Sequence, residues 1–234
     1  ERFVVCTQNH DQVGNRMLGE RLNELVEPAQ ARLAAAAVLL SPFTPMLWMG
    51  EEYAEPAPFQ YFVSHTDPDL VAAVREGRRR EFADFAWQGE APDPQSEETF
   101  RRSTLDWELR GKEPHAEMLA LYRDLLRVRR ETRAIVGDDA GEQEAEVHDE
   151  TLVSLRRSTG AQTAVTVLSA SDEERTVTLV LDGAWRRELD TADQRYGGPG
   201  IPDDTRSLEA RDGALELTIA PWSAVLLVHD GETR

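Results

Sequence analysis

The sequence predicts a two-part fold, an α/β segment with parallel strands followed by an all-β segment. Two short apolar runs, residues 2–7 and 45–50, enclose a helix-forming stretch rich in Ala, Leu and Val. A strand, a helix and a second strand in this order are typical of a parallel βα unit. After Gly137, short apolar runs alternate with turn residues, which is the pattern of an antiparallel sandwich. We therefore expect one domain over residues 1–133 and a second over residues 134–234.

The α/β segment begins with the apolar strand 2–7, of the type that is buried on both faces. A polar loop is expected to follow, to about Arg21. The next stretch, from Ala29 to about Leu40, is expected to be a helix, because a proline favours its first turn and Ser-Pro ends it. The second strand, 45–50, completes the unit. Polar residues follow both strands at their C-terminal ends.

A long excursion, residues 54–113, is rich in proline, aromatic and charged residues. One helix is expected within it, from Pro68 to Arg80. We interpret the run Arg78-Arg79-Arg80 as a solvated helix end and assign it no ligand. From Pro114 to about Arg133, apolar residues recur at helical spacing, which predicts a long amphipathic helix.

The all-β segment is expected to contain six short strands, at residues 151–157, 162–169, 174–181, 184–190, 214–219 and 222–229. Turn residues such as Asp212-Gly213 separate them. The apolar side of the last two strands should close a sandwich core. The residues expected there are Leu215, Leu217, Ile219, Val225 and Leu227.

The chain of 234 residues is acidic, with a formal net charge of −18, and 40% of its residues are hydrophobic. The apolar content suffices for a folded core. The charge disfavours nucleic acid and anionic membranes as partners, but it does not repel a neutral sugar. Cys6 is the only cysteine, so no intrachain disulfide can form, and we expect a cytoplasmic location. No run approaches the ~18 apolar residues of a membrane-spanning helix.

Polar side chains crowd the end of the first strand in the stretch CTQNHDQVGNR. Ligands of parallel βα barrels bind at such strand ends. There, the carboxylate of Asp11 beside the imidazole of His10 can bind the hydroxyls of a sugar and stabilise positive charge at an anomeric carbon. Alternatively, Asn9 and Asp11 simply cap a loop. A metal site is disfavoured, because adjacent residues of a strand point in different directions and no second His or Cys lies nearby.

Two acids, Glu51 and Glu52, follow the second strand and either line a cleft or are solvated loop charges. Aromatic residues near them can stack on sugar faces, although packing in a satellite core is the favoured alternative. These residues are Trp48, Tyr53, Phe59, Tyr61 and Phe62. Arg16 either donates to a substrate or pairs with a neighbouring carboxylate and holds the loop.

The strand that ends in Asn-His-Asp resembles the last signature region of the alpha-amylase superfamily, glycoside hydrolase family 13. The extended stretch QNHDQVGNR, together with PMLWMGEEYAEPAPFQYFVSHTDPDL and EGRRREF, is similar to trehalose-releasing members of that family. The tail LELTIAPWSAVLLV is similar to the last strands of the superfamily's C-terminal domain. This resemblance implies the last βα units of a (β/α)8 TIM barrel, followed by a C-terminal antiparallel β-sandwich.

The resemblance also implies a retaining mechanism with an Asp nucleophile, a Glu acid/base and a second Asp that supports the oxocarbenium-like transition state. Only the second Asp has a match here, at Asp11, and His10 matches the histidine that bonds to the same sugar. Asn9, Arg16 and Glu52 complete the expected substrate-binding set. No metal ion or cofactor is implied. We expect the remaining, N-terminal part of the same polypeptide to supply the nucleophile and acid/base, and the 234-residue chain alone to be inactive.

The implied reaction belongs to trehalose biosynthesis. It hydrolyses the α-1,4-glucosidic bond next to the terminal trehalose of maltooligosyl trehalose, an α-glucan. A transglycosidase like the glycogen-branching enzymes is one alternative, because its strand ends look similar. A non-catalytic glucan-binding module over residues 134–234 is another. That module needs an exposed row of aromatic residues, for which Trp185, Tyr196 and Trp222 are available.

Overall fold

The structure is a computed structural model that describes residues 3–83, 91–136, 141–160, 162–202 and 206–231. Its helices are α1 His10–Gly14, α2 Leu22–Leu25, α3 Pro28–Leu39, α4 Pro68–Ala83, α5 Glu97–Arg102, α6 His115–Glu131 and α7 Arg133–Val136. Its strands are β1 Val4–Val5, β2 Thr44–Pro45, β3 Gln143–Val147, β4 Leu152–Thr159, β5 Gln162–Ser169, β6 Arg175–Leu179, β7 Ala184–Asp190, β8 Ser207–Glu209, β9 Leu215–Ile219 and β10 Ser223–Asp230. Among the described residues, no helix combines the length and the apolar character that a bilayer crossing requires.

Strands β1 and β2 lie side by side in parallel, with Val4 opposite Thr44. The predicted parallel βα unit is therefore present, but the expectation that its first strand is buried on both faces is wrong for this chain, because Phe3 is 64% and Val4 62% exposed. Each strand is shorter than predicted, because α1 begins soon after β1, at His10, and the chain turns after β2 at Gly50, where φ is 90°. A short 3-10 helix over Glu51–Tyr53 follows that turn.

Three helices connect β1 to β2. The stretch predicted as a polar loop contains α1, which begins where the side chain of Asn9 accepts the backbone N–H of Asp11 at 2.8 Å. The helix α3 confirms the predicted apolar helix to within a residue at each end, with Pro28 in its first turn. Its capping box joins Glu27 and Gln30. The four-residue α2 was not predicted, because one turn carries too little periodicity.

The excursion after β2 contains more helix than predicted. The helix α4 confirms the predicted start at Pro68 and continues beyond Arg80. The helix α5 and a 3-10 helix over Trp107–Gly111 were not predicted, and each begins at a capping side chain, Ser96 or Asp106. The helix α6 confirms the amphipathic pattern and buries one apolar stripe, Met118, Leu121, Tyr122, Leu125 and Val128.

Two antiparallel sheets follow the helices. The larger has the strand order β3-β4-β5-β10-β7-β8, and the smaller pairs β6 with β9. All six predicted strands are present, and β5 and β7 have the predicted bounds. Strand β3 was not predicted because every residue of it is exposed and only Ala145 and Val147 are apolar. Strand β8 was missed because it has only three residues.

The strand β10 lies in the middle of the larger sheet and is buried on both of its faces. On one face, Leu226 and Val228 join an apolar cluster with α3, α6 and α7. On the other face, Val225 and Leu227 pack against the smaller sheet. The five residues predicted for the sandwich core all belong to this second cluster, namely Leu215, Leu217, Ile219, Val225 and Leu227. The first cluster contains residues from both sides of the predicted boundary at residue 134, so the helices and the sheet pack together there. The division into two domains stays a prediction.

Candidate functional site

The polar cluster after β1 is organised by Asn9. Its side-chain oxygen accepts the backbone N–H groups of Asp11 at 2.8 Å and Gln12 at 3.3 Å. Its amide nitrogen lies 3.7 Å from the sulfur of Cys6. The capping role that the sequence left open as an alternative is therefore present, and it fixes the direction in which α1 leaves the strand.

The first turn of α1 presents His10 and Asp11 side by side. Their side chains are 69% and 74% exposed, and Nε2 of His10 lies 3.2 Å from Oδ1 of Asp11. The expectation that these neighbours point in different directions was wrong, because they lie in a helical turn and not in an extended strand. In the described parts of the chain, no three His, Cys, Asp or Glu side chains are grouped as ligands of a metal ion. An accessible imidazole–carboxylate pair is suited to binding the hydroxyl groups of a sugar.

The ring of His10 faces that of Trp48, which follows β2, with ring centroids 6.1 Å apart. Trp48 in turn packs edge-on against Phe59 at 4.9 Å. Two of the five aromatic residues proposed for sugar stacking thus lie next to the cluster. Tyr53 is fully buried and belongs to the core, whereas Tyr61 is 42% exposed.

Arg16 lies in the chain that follows α1 and is half-buried. Its Nε lies 3.3 Å from Oε2 of Glu20, four residues later. The structure thus contains the ion pair that the sequence left open as an alternative. A contact between Arg16 and a substrate stays a prediction.

The two acids after β2 have different environments. Glu52 is half-buried, and its carboxylate accepts the backbone N–H of Gly50 at 2.9 Å, which stabilises the turn. Glu51 is only 7% exposed. Its carboxylate accepts Nε2 of Gln8 at 3.3 Å and the hydroxyl of Tyr122 at 3.4 Å. Burial raises the pKa of Glu51 to about 7, although the bonds from Gln8 and Tyr122 act in the opposite direction.

Gln8 was not among the predicted site residues, although it joins three elements. Its amide nitrogen bonds to Glu51 beyond β2, and its oxygen accepts the backbone N–H of Leu22 at 3.0 Å. Its place between the apolar run that starts the chain and the capping Asn9 is the signal that could have found it. A cavity of about 20 Å³ borders the pair and is lined by Thr7, Gln8, Leu22, Asn23, Ala31, Glu51, Ala54, Met118 and Tyr122. This volume fits about one water molecule, so no sugar ring reaches Glu51 from that side.

A second buried network holds the turn after β2. Arg21 is fully buried and donates to the carbonyls of Ala57 at 2.6 Å and Met49 at 2.7 Å. Desolvation lowers its pKa. Nearby, the 1%-exposed carboxylate of Glu55 accepts three donors, including the hydroxyl of Tyr53 at 2.8 Å. Sequence reasoning missed this network, because an isolated Arg or Glu is mostly found at the surface.

The aromatic residues of the sheet region do not form a binding surface. Trp185 and Tyr196 are 3% and 4% exposed, and each belongs to an apolar cluster. Trp222 is half-buried in the turn that precedes β10. These are the only aromatic residues in the sequence after residue 134. The row that a glucan-binding module requires is therefore missing from this part of the chain.

Curated relatives share one name, malto-oligosyltrehalose trehalohydrolase. The protein of that name from Brevibacterium helvolum is 46% identical over 149 residues, which cover 63% of this chain and 25% of the relative. The one from Deinococcus radiodurans is 44% identical over 177 residues, which cover 75% of this chain and 29% of the relative. The chain thus spans about a quarter of the length of the curated relatives it matches. No protein-family model matches the chain.

Among solved structures, a Salmonella typhimurium protein assigned to the alpha-amylases superimposes with a TM-score of 0.74. It is 30% identical, and the match covers 97% of this chain and 35% of that protein. By sequence and by fold, the chain resembles the C-terminal part of the malto-oligosyltrehalose trehalohydrolases, within the alpha-amylase superfamily.

Proposed function

We propose that the chain forms the C-terminal part of a retaining glycosidase that releases trehalose. The reaction is hydrolysis of the α-1,4-glucosidic bond next to the terminal trehalose of maltooligosyl trehalose. The observation that carries this proposal is the identity of 46% and 44% to the two trehalohydrolases, over 63% and 75% of this chain. A cytoplasmic location is part of the proposal and rests on the single free cysteine, Cys6.

In this proposal, β1, β2 and their helices are the last βα units of a (β/α)8 barrel over residues 1–133. Residues 134–234 form a sandwich that supports the barrel through the apolar cluster shared with α6. The N-terminal part of the same polypeptide supplies the other strands, the nucleophile and the acid/base. The parallel pairing of β1 and β2 supports this arrangement, because parallel strands with an apolar sequence are found in sheets covered on both faces.

The proposed role of Asp11 is to stabilise the oxocarbenium-like transition state. Its carboxylate is exposed, so it can accept hydrogen bonds from the hydroxyls of the distorted sugar and offset the positive charge that develops at the anomeric carbon. His10 binds the same sugar. When Nε2 carries the proton, it can donate to Oδ1 of Asp11 and leave Oδ2 for the substrate. Asn9, Arg16 and Glu52 complete the proposed binding set, and each also bonds to the chain around it.

The test is the substitution Asp11→Asn in the intact polypeptide, with Asp172→Asn as the matched control at an exposed turn of the sheet region. Loss of a charge that acts mainly in the transition state should lower kcat about 10²–10³-fold and change KM much less. The control should behave like the wild type. A near-normal kcat with only KM raised would contradict the role assigned to Asp11.

The products distinguish hydrolysis from transfer. Incubated with maltooligosyl trehalose, the wild-type polypeptide should give free trehalose and a shortened maltooligosaccharide. A transglycosidase would instead give longer or branched glucans without trehalose, and that result would overturn the proposed reaction. The glucan-binding alternative is disfavoured by the burial of Trp185 and Tyr196.

A further inference from the structure

Helix α1, which carries His10 and Asp11, is too short to be stable by itself. It has five residues, and only Val13 among them is buried. An isolated helix of that length does not form in water. The positions of His10 and Asp11 therefore depend on the contacts that other elements make with the two ends of α1.

Each end of α1 is held by one side chain. Asn9 caps the first end, as described above. At the other end, Nη2 of Arg78 donates to the carbonyl oxygen of Gly14 at 3.1 Å. Arg78 lies in α4, far along the chain. A guanidinium is well suited to this place, because positive charge is favourable at the C-terminal end of a helix and bonds from a charged donor are strong.

The guanidinium of Arg78 is also held in place by contacts outside α1. It lies over the rings of Tyr61 at 4.9 Å and Phe82 at 4.6 Å. Its Nη1 donates to Glu81 at 2.9 Å, and the side chain is only 15% exposed. A planar cation that lies over two rings has little freedom to move, so it presents Nη2 to Gly14 at a defined place.

The three consecutive arginines of α4 do not share this environment. Arg80 is 74% exposed and pairs with Glu76 on the same helix at 3.5 Å. The interpretation of the run as a solvated helix end was therefore wrong for Arg78, whereas Arg80 fits it. Arg80 thus serves as a control of the same residue type, on the same helix, away from α1.

We propose that Arg78 is a positioning residue for the reaction, which acts on His10 and Asp11 by holding Gly14 at the C-terminal end of α1. The inference rests on the proposed function, since it assigns to α1 the residues that meet the sugar. In this proposal, the segment between β2 and α6 contributes to catalysis through Arg78, although Arg78 does not contact the substrate.

The experiment compares Arg78→Met, Arg78→Lys and the control Arg80→Met in the intact polypeptide. Methionine keeps an unbranched apolar side chain next to the two rings but removes the donors. A small displacement of catalytic groups can lower the rate about 10²-fold, so kcat of Arg78→Met should fall by about that factor. KM should change by less than about threefold, because the displaced groups act mainly in the transition state. Lysine keeps the charge and a donor group but loses the planar fork, so kcat of Arg78→Lys should lie between that of Arg78→Met and that of the wild type.

A measurement without turnover accompanies the kinetics. The chemical shifts of the His10 ring protons in selectively labelled protein report the distance to the Trp48 ring, which is 6.1 Å between centroids. They should move in Arg78→Met and stay unchanged in Arg80→Met. Unchanged shifts, or a kcat of Arg78→Met within about twofold of the wild type, would overturn the proposal. If Arg78→Met fails to fold, a wild-type kcat in folded Arg78→Lys would overturn it as well.

Failure of the proposed function has a different outcome. In that case the wild-type polypeptide itself releases no trehalose, whatever the variants do. The His10 shifts still decide whether Arg78 positions α1, because they do not depend on the reaction. An active wild type with unchanged variants would reject the positioning role alone.

Discussion

Ionisation of Glu51 should lower the free energy of unfolding as the pH rises from acid to neutral, and the substitution Glu51→Gln should abolish this decrease. Glu51 is buried next to Gln8 and Tyr122, which donate to its carboxylate without supplying a positive charge. The nearby carboxylate of Glu52 also disfavours its ionisation. Glutamine keeps the size of the side chain and an oxygen that can accept the same bonds, but it cannot ionise.

The magnitude follows from the pKa of this carboxyl, which burial raises from 4.5 to about 7. At about 1.4 kcal/mol for each pKa unit, ionised Glu51 destabilises the folded state by ~3 kcal/mol. Because the pKa is raised on folding, the folded protein binds this proton more tightly than the unfolded chain. The favourable contribution is fully present below pH 4.5, declines as the pH rises toward 7, and is lost above it.

The assay is the free energy of unfolding in urea at pH 5 and pH 8, measured for the wild type, Glu51→Gln and the control Glu150→Gln at an exposed turn. The difference between Glu51→Gln and the wild type should shift in favour of the variant by ~2–3 kcal/mol between the two pH values. The control should show no such shift. If the difference between Glu51→Gln and the wild type is the same at both pH values, then Glu51 is not a buried acid with a raised pKa.

Three further predictions concern activity and the sheet region. The purified 234-residue chain should release no trehalose from maltooligosyl trehalose, because it contains no match for the nucleophile or the acid/base; measurable release would refute this. Leu227→Asp should lower the free energy of unfolding by several kcal/mol, because it buries an unpaired charge between the two sheets; Val180→Asp, at an 80%-exposed position, is its control and should be nearly neutral in the same urea titration. Gly50→Ala should destabilise by ~1–3 kcal/mol, because φ is 90° there and the added Cβ would lie 2.8 Å from Cβ of Glu55; an unchanged thermal midpoint would contradict it.

The sequence could predict those strands in which an apolar run lies between turn residues. The bounds of β5 were predicted because turn residues flank an apolar run there. Strand β3 could not be predicted in this way, because it is exposed and contains no apolar run, and it joins the sheet through its pairing with β4. Intrinsic preference alone is a weak guide for such an edge strand.

Prediction of the candidate site from the sequence is limited in a similar way. His10 and Asp11 could be proposed as sugar-binding residues because their types and spacing match the chemistry of sugar binding, and that role stays a prediction. The roles of Arg21 and Arg78 could not be found, because each depends on carbonyl groups that only the folded chain brings near: those of Met49 and Ala57 for Arg21, and that of Gly14 for Arg78. A sequence pattern does not indicate which backbone carbonyls will lie near a side chain. From the sequence alone, a buried arginine therefore cannot be distinguished from a surface arginine.

The position of β10 has a consequence for how the protein is made. This strand lies between β5 and β7 in the middle of the larger sheet, although it follows both in the chain. During translation, β5 and β7 therefore leave the ribosome with the edges that β10 will join still unpaired. Neither the cluster with α6 nor the one between the sheets can close before the ribosome has passed Asp230. Until then these edges are open to pairing with other nascent chains, so aggregation should be most severe in cells that synthesise the protein quickly.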